Sequence, residues 1–266
     1  MGAGGIYGDG IRRTLAEMDG ITLDEMDSIK LMNRVDTKFL TTVTTLGEIL
    51  RRAAALYRVL ETGGSRIAGY DTLYYDTDDY RMYLDHQNRR LNRRKIRTRT
   101  YLSSGDTYLE IKRKNNKGRT RKKRIAIPAV EFHSLAGDNA AEAFISAKTE
   151  FSTTCISPST RTEFSRITLV NNAMTERLTI DSCLKFENLR TGAKSDLADA
   201  VIIELKQDGY CHSDIRDILL DLRVKPVRVS KYCIGTVLTV PGIKRSRFIK
   251  KVRLIEKLTD NKLLAR

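Results

Sequence analysis

Basic residues recur at every second position in several short stretches of the chain. Arg97 and Arg99 are separated by one residue, and so are Lys122 and Arg124. Guanidinium groups bind phosphate oxygens through two N–H groups at once, and ammonium groups act as compact point charges. Because every second side chain of a strand points to the same side, each pair would present two cations to one ligand. This spacing predicts a surface that binds a polyanion.

The positive charge is concentrated in one part of the 266-residue chain. The sequence has 48 lysine and arginine residues against 33 acidic residues, which gives a formal net charge of +15. Residues 81–124 contain 17 of these cations and three acids, so they carry +14 of the total. A surplus this local indicates a polyanionic partner: nucleic acid, an anionic membrane or a phosphate-rich small molecule. The alternative is a solvated basic face, but the ordered alternation within the run favours a binding surface.

The alternation also includes apolar residues and so predicts strands. Glu110, Lys112 and Lys114 alternate with Leu109 and Ile111, which is typical of a strand with one charged and one apolar face. The same pattern recurs in residues 34–40, 95–101, 122–127, 177–181 and 201–206, and Arg161-Thr162-Glu163 begins another such segment. Strands of this kind predict a sheet that curls until the charged faces meet. We therefore predict an α+β protein, in which an antiparallel β-barrel forms a cationic tunnel and a few helices cover its apolar outer face.

We predict that the chain has three parts. Apolar stripes with helical spacing around residues 46–57 and 215–222 predict helices that cover the barrel. Because no Pro/Gly-rich linker or internal repeat interrupts the sequence, we predict one domain over residues 33–240. Residues 1–32 are predicted to be an N-terminal lead-in, and residues 241–266 a basic C-terminal helix or tail packed on the barrel.

Several classes of protein are disfavoured. No apolar run approaches the roughly 20 residues that a transmembrane helix needs, and the N-terminus lacks the features of a signal peptide, so we expect a cytoplasmic protein. The four cysteines lie far apart and only three histidines are present, so the spacing predicts no zinc site.

A nucleic-acid binder places aromatic residues among its cations, and here only Tyr101 and Tyr108 do so. We expect no specific nucleic-acid partner.

Seven short motifs follow one another along the chain. In order they are Arg34-x-Asp36-x-Lys38-Phe39, Tyr75-Asp76-Thr77-x-x-x-Arg81, Arg97-x-Arg99, Glu110-x-Lys112, Arg177-x-x-Ile180-Asp181, Glu204-x-Lys206 and Ser230-Lys231-Tyr232. Together they resemble the VTC-type polyphosphate polymerase domain, which belongs to the triphosphate tunnel metalloenzymes and is related to the CYTH hydrolases. The resemblance extends over most of the chain, from Arg34 to Tyr232.

The resemblance implies a reaction and a set of site residues. Such a tunnel would take ATP or another triphosphate by its phosphates and transfer the γ-phosphoryl group to a growing polyphosphate chain. The phosphate-binding residues that it implies are Lys38, Arg97, Arg99, Lys112, Lys122, Arg124, Arg161, Arg177, Lys206, Ser230 and Lys231, with Arg228 in a lesser role. Of these, Arg97, Arg99 and Lys231 are implied to act in catalysis. Glu204 would hold a divalent metal, Mn²⁺ or Mg²⁺, with phosphate oxygens completing the ligand shell.

Two departures from the family patterns affect the choice of reaction. CYTH-type hydrolases begin with Glu-x-Glu-x-Lys, where this chain has Arg34 and Asp36. The loss of a carboxylate favours transfer over hydrolysis. The polymerase pattern has a tyrosine two residues before Arg161, where this chain has Ser159. The alternatives are a tunnel triphosphatase, with water as the acceptor, and a non-catalytic module that binds polyphosphate or RNA.

Overall fold

The computed structural model describes residues 7–27, 29, 34–117 and 120–264. The strands are β1 Gly20–Ile21, β2 Arg34–Thr42, β3 Tyr57–Leu60, β4 Ala68–Asp76, β5 Arg93–Tyr101, β6 Thr107–Lys114, β7 Thr120–Ala126, β8 Ser157–Asn171, β9 Glu176–Asn188, β10 Lys194–Asp196 and β11 Ala200–Asp208. The α-helices are α1 Asp9–Glu17, α2 Leu23–Asp27, α3 Val43–Ala53, α4 Arg81–Gln87, α5 Asn139–Ser146, α6 Asp214–Asp221, α7 Lys231–Thr239 and α8 Ser246–Thr259, with a 3₁₀ helix at Ala129–Phe132. Within these described ranges, no helix is long and apolar enough to cross a membrane.

Eight strands form one antiparallel sheet in the order β2-β11-β9-β8-β4-β5-β6-β7. Lys112 of β6 and Glu204 of β11 interact electrostatically, although four strands separate them in the sheet. This interaction shows that the sheet is curled. In the described part of the chain, β2 and β7 do not pair with each other, so the sheet is a half-barrel. Beyond β2, the backbone N–H of Val227 donates to the carbonyl of Lys38 at 2.7 Å. The predicted α+β class and antiparallel tunnel sheet are confirmed.

Apolar residues of the strands lie on the convex face of the sheet, where helices cover them, and at the end of the concave face that α7 and α8 fill. On one half, Leu178, Ile203 and Leu205 are fully buried in a core shared with α3 and α6. On the other half, Leu109 and Ile111 belong to a core shared with α5 and the 3₁₀ helix. The apolar face of each two-faced strand is thus removed from water, and the charged face is left to line the concave side.

Helix α7 lies on the concave side and fills one end of the half-barrel. Thr236 of α7 is hydrogen-bonded to Thr160 of β8, with 3.1 Å between the two hydroxyl oxygens. A Cβ atom at Gly235 would lie 2.6 Å from Cδ1 of Phe186 and 2.8 Å from Cγ2 of Thr160, so only glycine allows this approach. Helix α8 packs nearby through the buried residues Phe248 and Val252. The C-terminal stretch is therefore a helix packed on the barrel.

The N-terminal segment is more structured than a lead-in. Helix α1 buries Ile11 and Leu15 in the core that includes α3, and the Tyr7 hydroxyl is hydrogen-bonded to Ser182 of β9. Strand β1 pairs in parallel with β3. The predicted lead-in also includes residues 1–6, 28 and 30–32, which lie outside the described residues.

We expect Gly235→Ala to lower the free energy of unfolding by about 1–3 kcal/mol, because the added methyl group would force α7 away from β8 and β9. Gly47→Ala is the matched control within α3. Its Cβ would meet only Cγ1 of Ile11, at 3.7 Å, so this variant should gain up to about 1 kcal/mol from helix propensity. Urea unfolding of both variants measures the difference, and equal stability of the two would contradict the close approach of α7.

Candidate functional site: a cationic tunnel

Strand register places most of the predicted site residues on the concave face. Lys38 of β2 is paired with Glu204 of β11, and Lys206 is paired with Arg177 of β9. The predicted residues on this face are Lys38, Arg97, Arg99, Lys112, Lys122, Arg124, Arg177, Glu204 and Lys206. Ser230 and Lys231 join them from the start of α7. The sheet therefore brings residues from β2, β5, β6, β7, β9 and β11 to one surface, which we call the tunnel.

Arg161 does not belong to the tunnel. Along β8, even-numbered positions such as Arg166 face the concave side, and Arg161 faces outward. Its guanidinium group donates to the carboxylate of Asp71 at 2.6 Å and lies 2.8 Å from Glu163. The predicted phosphate-binding role of Arg161 conflicts with this position, because the side chain lies on the convex face within a group of acids.

Glu204 lies among cations in the middle of the tunnel. Its two carboxylate oxygens are each 3.8 Å from an ammonium nitrogen, one of Lys38 and one of Lys206. Burial opposes ionisation of this carboxyl group, but Lys38, Lys206, Lys112 and Arg166 outweigh it and hold the pKa of Glu204 below its ordinary value. The carboxylate is therefore charged at neutral pH. It accepts no direct hydrogen bond from the described residues.

Arg97 is fixed by a network of buried polar groups. Its Nε donates to Oε2 of Glu110 at 2.8 Å, and its Nη1 donates to the Tyr74 hydroxyl at 3.0 Å. Lys122 forms an ion pair with the other oxygen of Glu110. Burial opposes ionisation of the Glu110 carboxyl, but Arg97, Arg99 and Lys122 together hold its pKa below the ordinary value. Glu110 therefore balances charge within the tunnel.

The pKa of Tyr74 reflects the positive charge of the tunnel. Burial alone raises the pKa of a tyrosine, since it disfavours the charged form. Here the surrounding cations Arg97, Lys95 and Arg99 overcome that effect and lower the pKa of Tyr74 to about 8. The tunnel thus stabilises a buried negative charge.

Arg99 is a buried cation without a carboxylate partner among the described residues. The residue is 6% exposed, and its Nε donates to the Thr72 hydroxyl at 3.0 Å. Its guanidinium carbon lies 5.4 Å from the ring centroid of Tyr70 and 5.6 Å from that of Phe164. Burial and the neighbouring Arg97 lower the pKa of Arg99 to about 10. Its remaining N–H groups suit a bound anion.

Two further tunnel cations, Arg166 and Lys95, were not among the predicted residues. Arg166 donates to Asp181 at 2.6 Å and 2.9 Å, and Lys231 is bonded to the same carboxylate. Lys95 donates to the Ser230 hydroxyl at 2.8 Å. Alternation could have identified Lys95, which lies two positions before Arg97. It could not have identified Arg166, because the charged residues Arg161 and Glu163 of β8 lie on the opposite face.

Helix α7 presents its first turn to the tunnel. The Ser230 side chain caps the helix by accepting from the backbone N–H of Cys233 at 3.3 Å. Asp76 accepts hydrogen bonds from the Tyr232 hydroxyl and from the backbone N–H of Tyr83 in α4. These bonds hold the start of α7, and Lys231 with it, against the tunnel. The N-terminal end of a helix also favours bound anions.

The donor set limits which metal could bind. The described residues contain no group of three or more His, Cys, Asp and Glu side chains that could hold an ion. Glu204 supplies one carboxylate, while Glu110 and Asp181 are engaged in close ion pairs. Mg²⁺ and Mn²⁺ accept oxygen ligands and are commonly bound by one or two carboxylates together with substrate phosphates. The tunnel therefore fits a divalent ion that is bound together with a phosphate ligand.

A curled antiparallel sheet with buried cations on its concave face defines a triphosphate-tunnel protein. The VTC domain family matches residues 33–240, which is most of the chain. The chain belongs to this family.

Solved structures with similar folds share little sequence with the chain. A putative adenylate cyclase from Vibrio parahaemolyticus aligns with a TM-score of 0.44 and 10% identity, covering 77% of this chain and 99% of that one. The PH1819 protein from Pyrococcus horikoshii aligns with a TM-score of 0.43 and 13% identity, covering 76% of this chain and 97% of that one. The putative adenylyl cyclase HpAC1 from Hippeastrum aligns with a TM-score of 0.49 and 12% identity, covering 79% of this chain and 98% of that one. That protein is described as having a dominant triphosphatase activity. The search of curated proteins found no match.

We expect tripolyphosphate to stabilise the protein less at pH 9.5 than at pH 7. Burial lowers the pKa of Lys231 to about 8, against the attraction of Asp181. Without ligand, folding releases the proton of this lysine between about pH 8 and its ordinary pKa near 10.4, so stability rises with pH in that window. Anion binding must restore the proton, so affinity should fall by up to about tenfold for each pH unit above 8.

Thermal unfolding with and without tripolyphosphate at the two pH values measures this difference. Lys231→Gln should bind more weakly at pH 7 and show a smaller pH dependence. A ligand-induced shift that is the same at both pH values in the unmodified protein would contradict the lowered pKa.

Proposed function

We propose that the protein is a metal-dependent polyphosphate polymerase that transfers the γ-phosphoryl group of ATP to the end of a growing polyphosphate chain and releases ADP. The observation that carries this proposal is the excess of cations over carboxylates on the concave face of the tunnel, where Arg97 and Arg99 are buried. The cations include Lys38, Lys95, Arg97, Arg99, Lys112, Lys122, Arg124, Arg166, Arg177, Lys206 and Lys231. The carboxylates on the same face include Asp36, Glu110, Asp181 and Glu204. Phosphate chains supply the missing negative charge.

The tunnel residues can position and stabilise a transferring phosphoryl group. This reaction needs in-line alignment and positive charge around the equatorial oxygens, with little covalent help from protein. Arg99 and Lys231 are the side chains best placed to donate to those oxygens, and Arg97 is held rigidly beside them by Glu110. Glu204 would hold a divalent ion, which would supply positive charge next to the phosphate oxygens and the leaving nucleoside diphosphate.

The state of the carboxylates favours a phosphate acceptor over water. The end of a polyphosphate chain is already ionised and needs no base, whereas water must lose a proton as it attacks. Glu110 and Asp181 are poor bases, because neighbouring cations hold the pKa of each below its ordinary value. The tunnel triphosphatase is the second candidate. It is supported by Glu204, whose carboxylate lies 3.8 Å from its nearest ammonium groups and could orient a water molecule.

The test is incubation of the purified protein with ATP and Mn²⁺, with and without a short polyphosphate primer, followed by phosphorus NMR. Growth of polyphosphate signals in step with ADP is the expected result. Release of orthophosphate without chain growth would replace the polymerase with the triphosphatase. Binding without turnover would leave a non-catalytic polyanion module.

We expect Arg99→Ala to lower the turnover number by about 10²–10³-fold, the effect of removing one preorganised donor from a developing charge. The fold should persist, because Arg99 has no carboxylate partner among the described residues to leave unpaired. Arg161→Ala is the matched control, since it removes an arginine from the opposite face of the same sheet. Steady-state ADP release measures both variants, and equal rates for the two would contradict the tunnel as the active site.

We expect Glu204→Gln to abolish metal-dependent turnover while metal-free tripolyphosphate binding persists or becomes tighter. The substitution removes a negative charge from among the cations but keeps the size of the side chain. Isothermal titration without metal and rate assays over a Mn²⁺ series separate the two effects. Glu163→Gln on the convex face is the control, and full activity of Glu204→Gln would remove Glu204 from the mechanism.

A further inference from the structure

A second group of cations lies at one mouth of the tunnel. It combines the end of α4, the start of β5, the end of β6, the segment before α7, and α8. Its members, which we call the collar, are Arg89, Arg93, Lys114, Arg228, Arg247 and Lys251. Arg247 and Lys251 lie beyond the residues that match the VTC domain family.

The collar continues the tunnel. Arg93 and Lys114 are directly paired across β5 and β6, one step outward on the same face from the pair Lys95 and Lys112. Arg228 lies two residues before Ser230, which accepts a hydrogen bond from Lys95. The collar therefore begins where the tunnel ends.

Helix α8 holds its part of the collar in place. Arg247 donates to the carbonyl oxygen of His86 in α4 at 2.8 Å, and the Lys251 ammonium nitrogen lies 5.1 Å from the ring centroid of Phe248. Phe248 itself is buried in the core shared with α7. The collar cations on α8 are thus anchored by contacts with the rest of the fold.

The positive charge of the collar is not compensated within the described chain. None of its six members forms an ion pair with a described carboxylate, in contrast to the tunnel cations Arg97 and Arg166. Partial burial and the neighbouring Arg93, Arg228 and Arg247 lower the pKa of Lys114. Like charges on directly opposed strand positions are destabilising. A site that tolerates such repulsion suits an anionic ligand.

We propose that the collar binds the part of a polyphosphate chain that extends out of the tunnel, and this inference rests on the proposed function. Arg93 and Arg99 are six residues apart on one strand, which corresponds to about 20 Å. A triphosphate held at Arg99 is too short to reach the collar, whereas a long phosphate chain covers both. The collar then makes affinity increase with chain length and keeps the growing chain bound between transfers.

The experiment compares binding of tripolyphosphate and long-chain polyphosphate to the unmodified protein and to Arg89→Glu/Lys251→Glu. We expect the affinity of the variant for the long chain to fall at least about tenfold, with a smaller salt dependence, because fewer counterions are released. Tripolyphosphate binding should change little. The matched control is Arg253→Glu/Lys257→Glu, which makes the same charge change at exposed positions on another side of α8. Arg247→Ala, with a smaller change in charge, provides a second test in case the double variant fails to fold.

Each outcome has a separate meaning. Equal long-chain affinity of the collar variant and the control would overturn the collar while leaving the proposed function intact. Failure of the unmodified protein to bind tripolyphosphate would overturn the proposed function itself. A larger loss for single-stranded RNA than for polyphosphate would make the collar a nucleic-acid surface and would also overturn the inference.

Discussion

The constraint on which the structure depends is the repulsion between buried like charges. Two cations 4 Å apart repel each other by about 4 kcal/mol at an effective dielectric constant of 20, while a whole domain is stable by only about 5–15 kcal/mol. The tunnel meets this constraint by placing carboxylates between cations. Glu110 lies between Arg97 and Lys122, and Asp181 lies between Arg166 and Lys231. The charge that is still uncompensated is what a phosphate ligand would neutralise.

Such a tunnel obtains its stability from the opposite face of the sheet. A sheet that curls around charged side chains can bury apolar residues on its concave face only where α7 and α8 fill it, so the convex face must form the other cores. The helices provide this cover: α3 and α6 on one half, α5 and the 3₁₀ helix on the other. The period-two pattern of the strands and the apolar stripes of the helices therefore belong together, because the apolar face of each strand packs against an apolar helix stripe. Both were readable in the sequence, and so the fold class was predictable.

The parts that could not be predicted depend on register between distant strands. Asp181 and Leu184 of β9 face the same side although three positions separate them, because a register shift with Cys183 at φ +53° interrupts the alternation. The family resemblance implies a tunnel position for Arg161, but pairing with β4 places it beside Asp71 on the convex face. Local patterns give the period of a strand, and tertiary pairing decides which face is inside.

Helix α7 links the apolar part of the fold to the phosphate site. Its small residue Gly235 allows close packing on Phe186, while Tyr232 donates to the buried Asp76. Burial lowers the pKa of Lys231, which means that placing this charged lysine in the tunnel costs free energy. The packing and hydrogen bonds of α7 oppose that cost and keep Lys231 in position before a ligand arrives. These contacts of α7 do not involve the anion itself, but they hold the tunnel cation Lys231 in the position that anion binding needs.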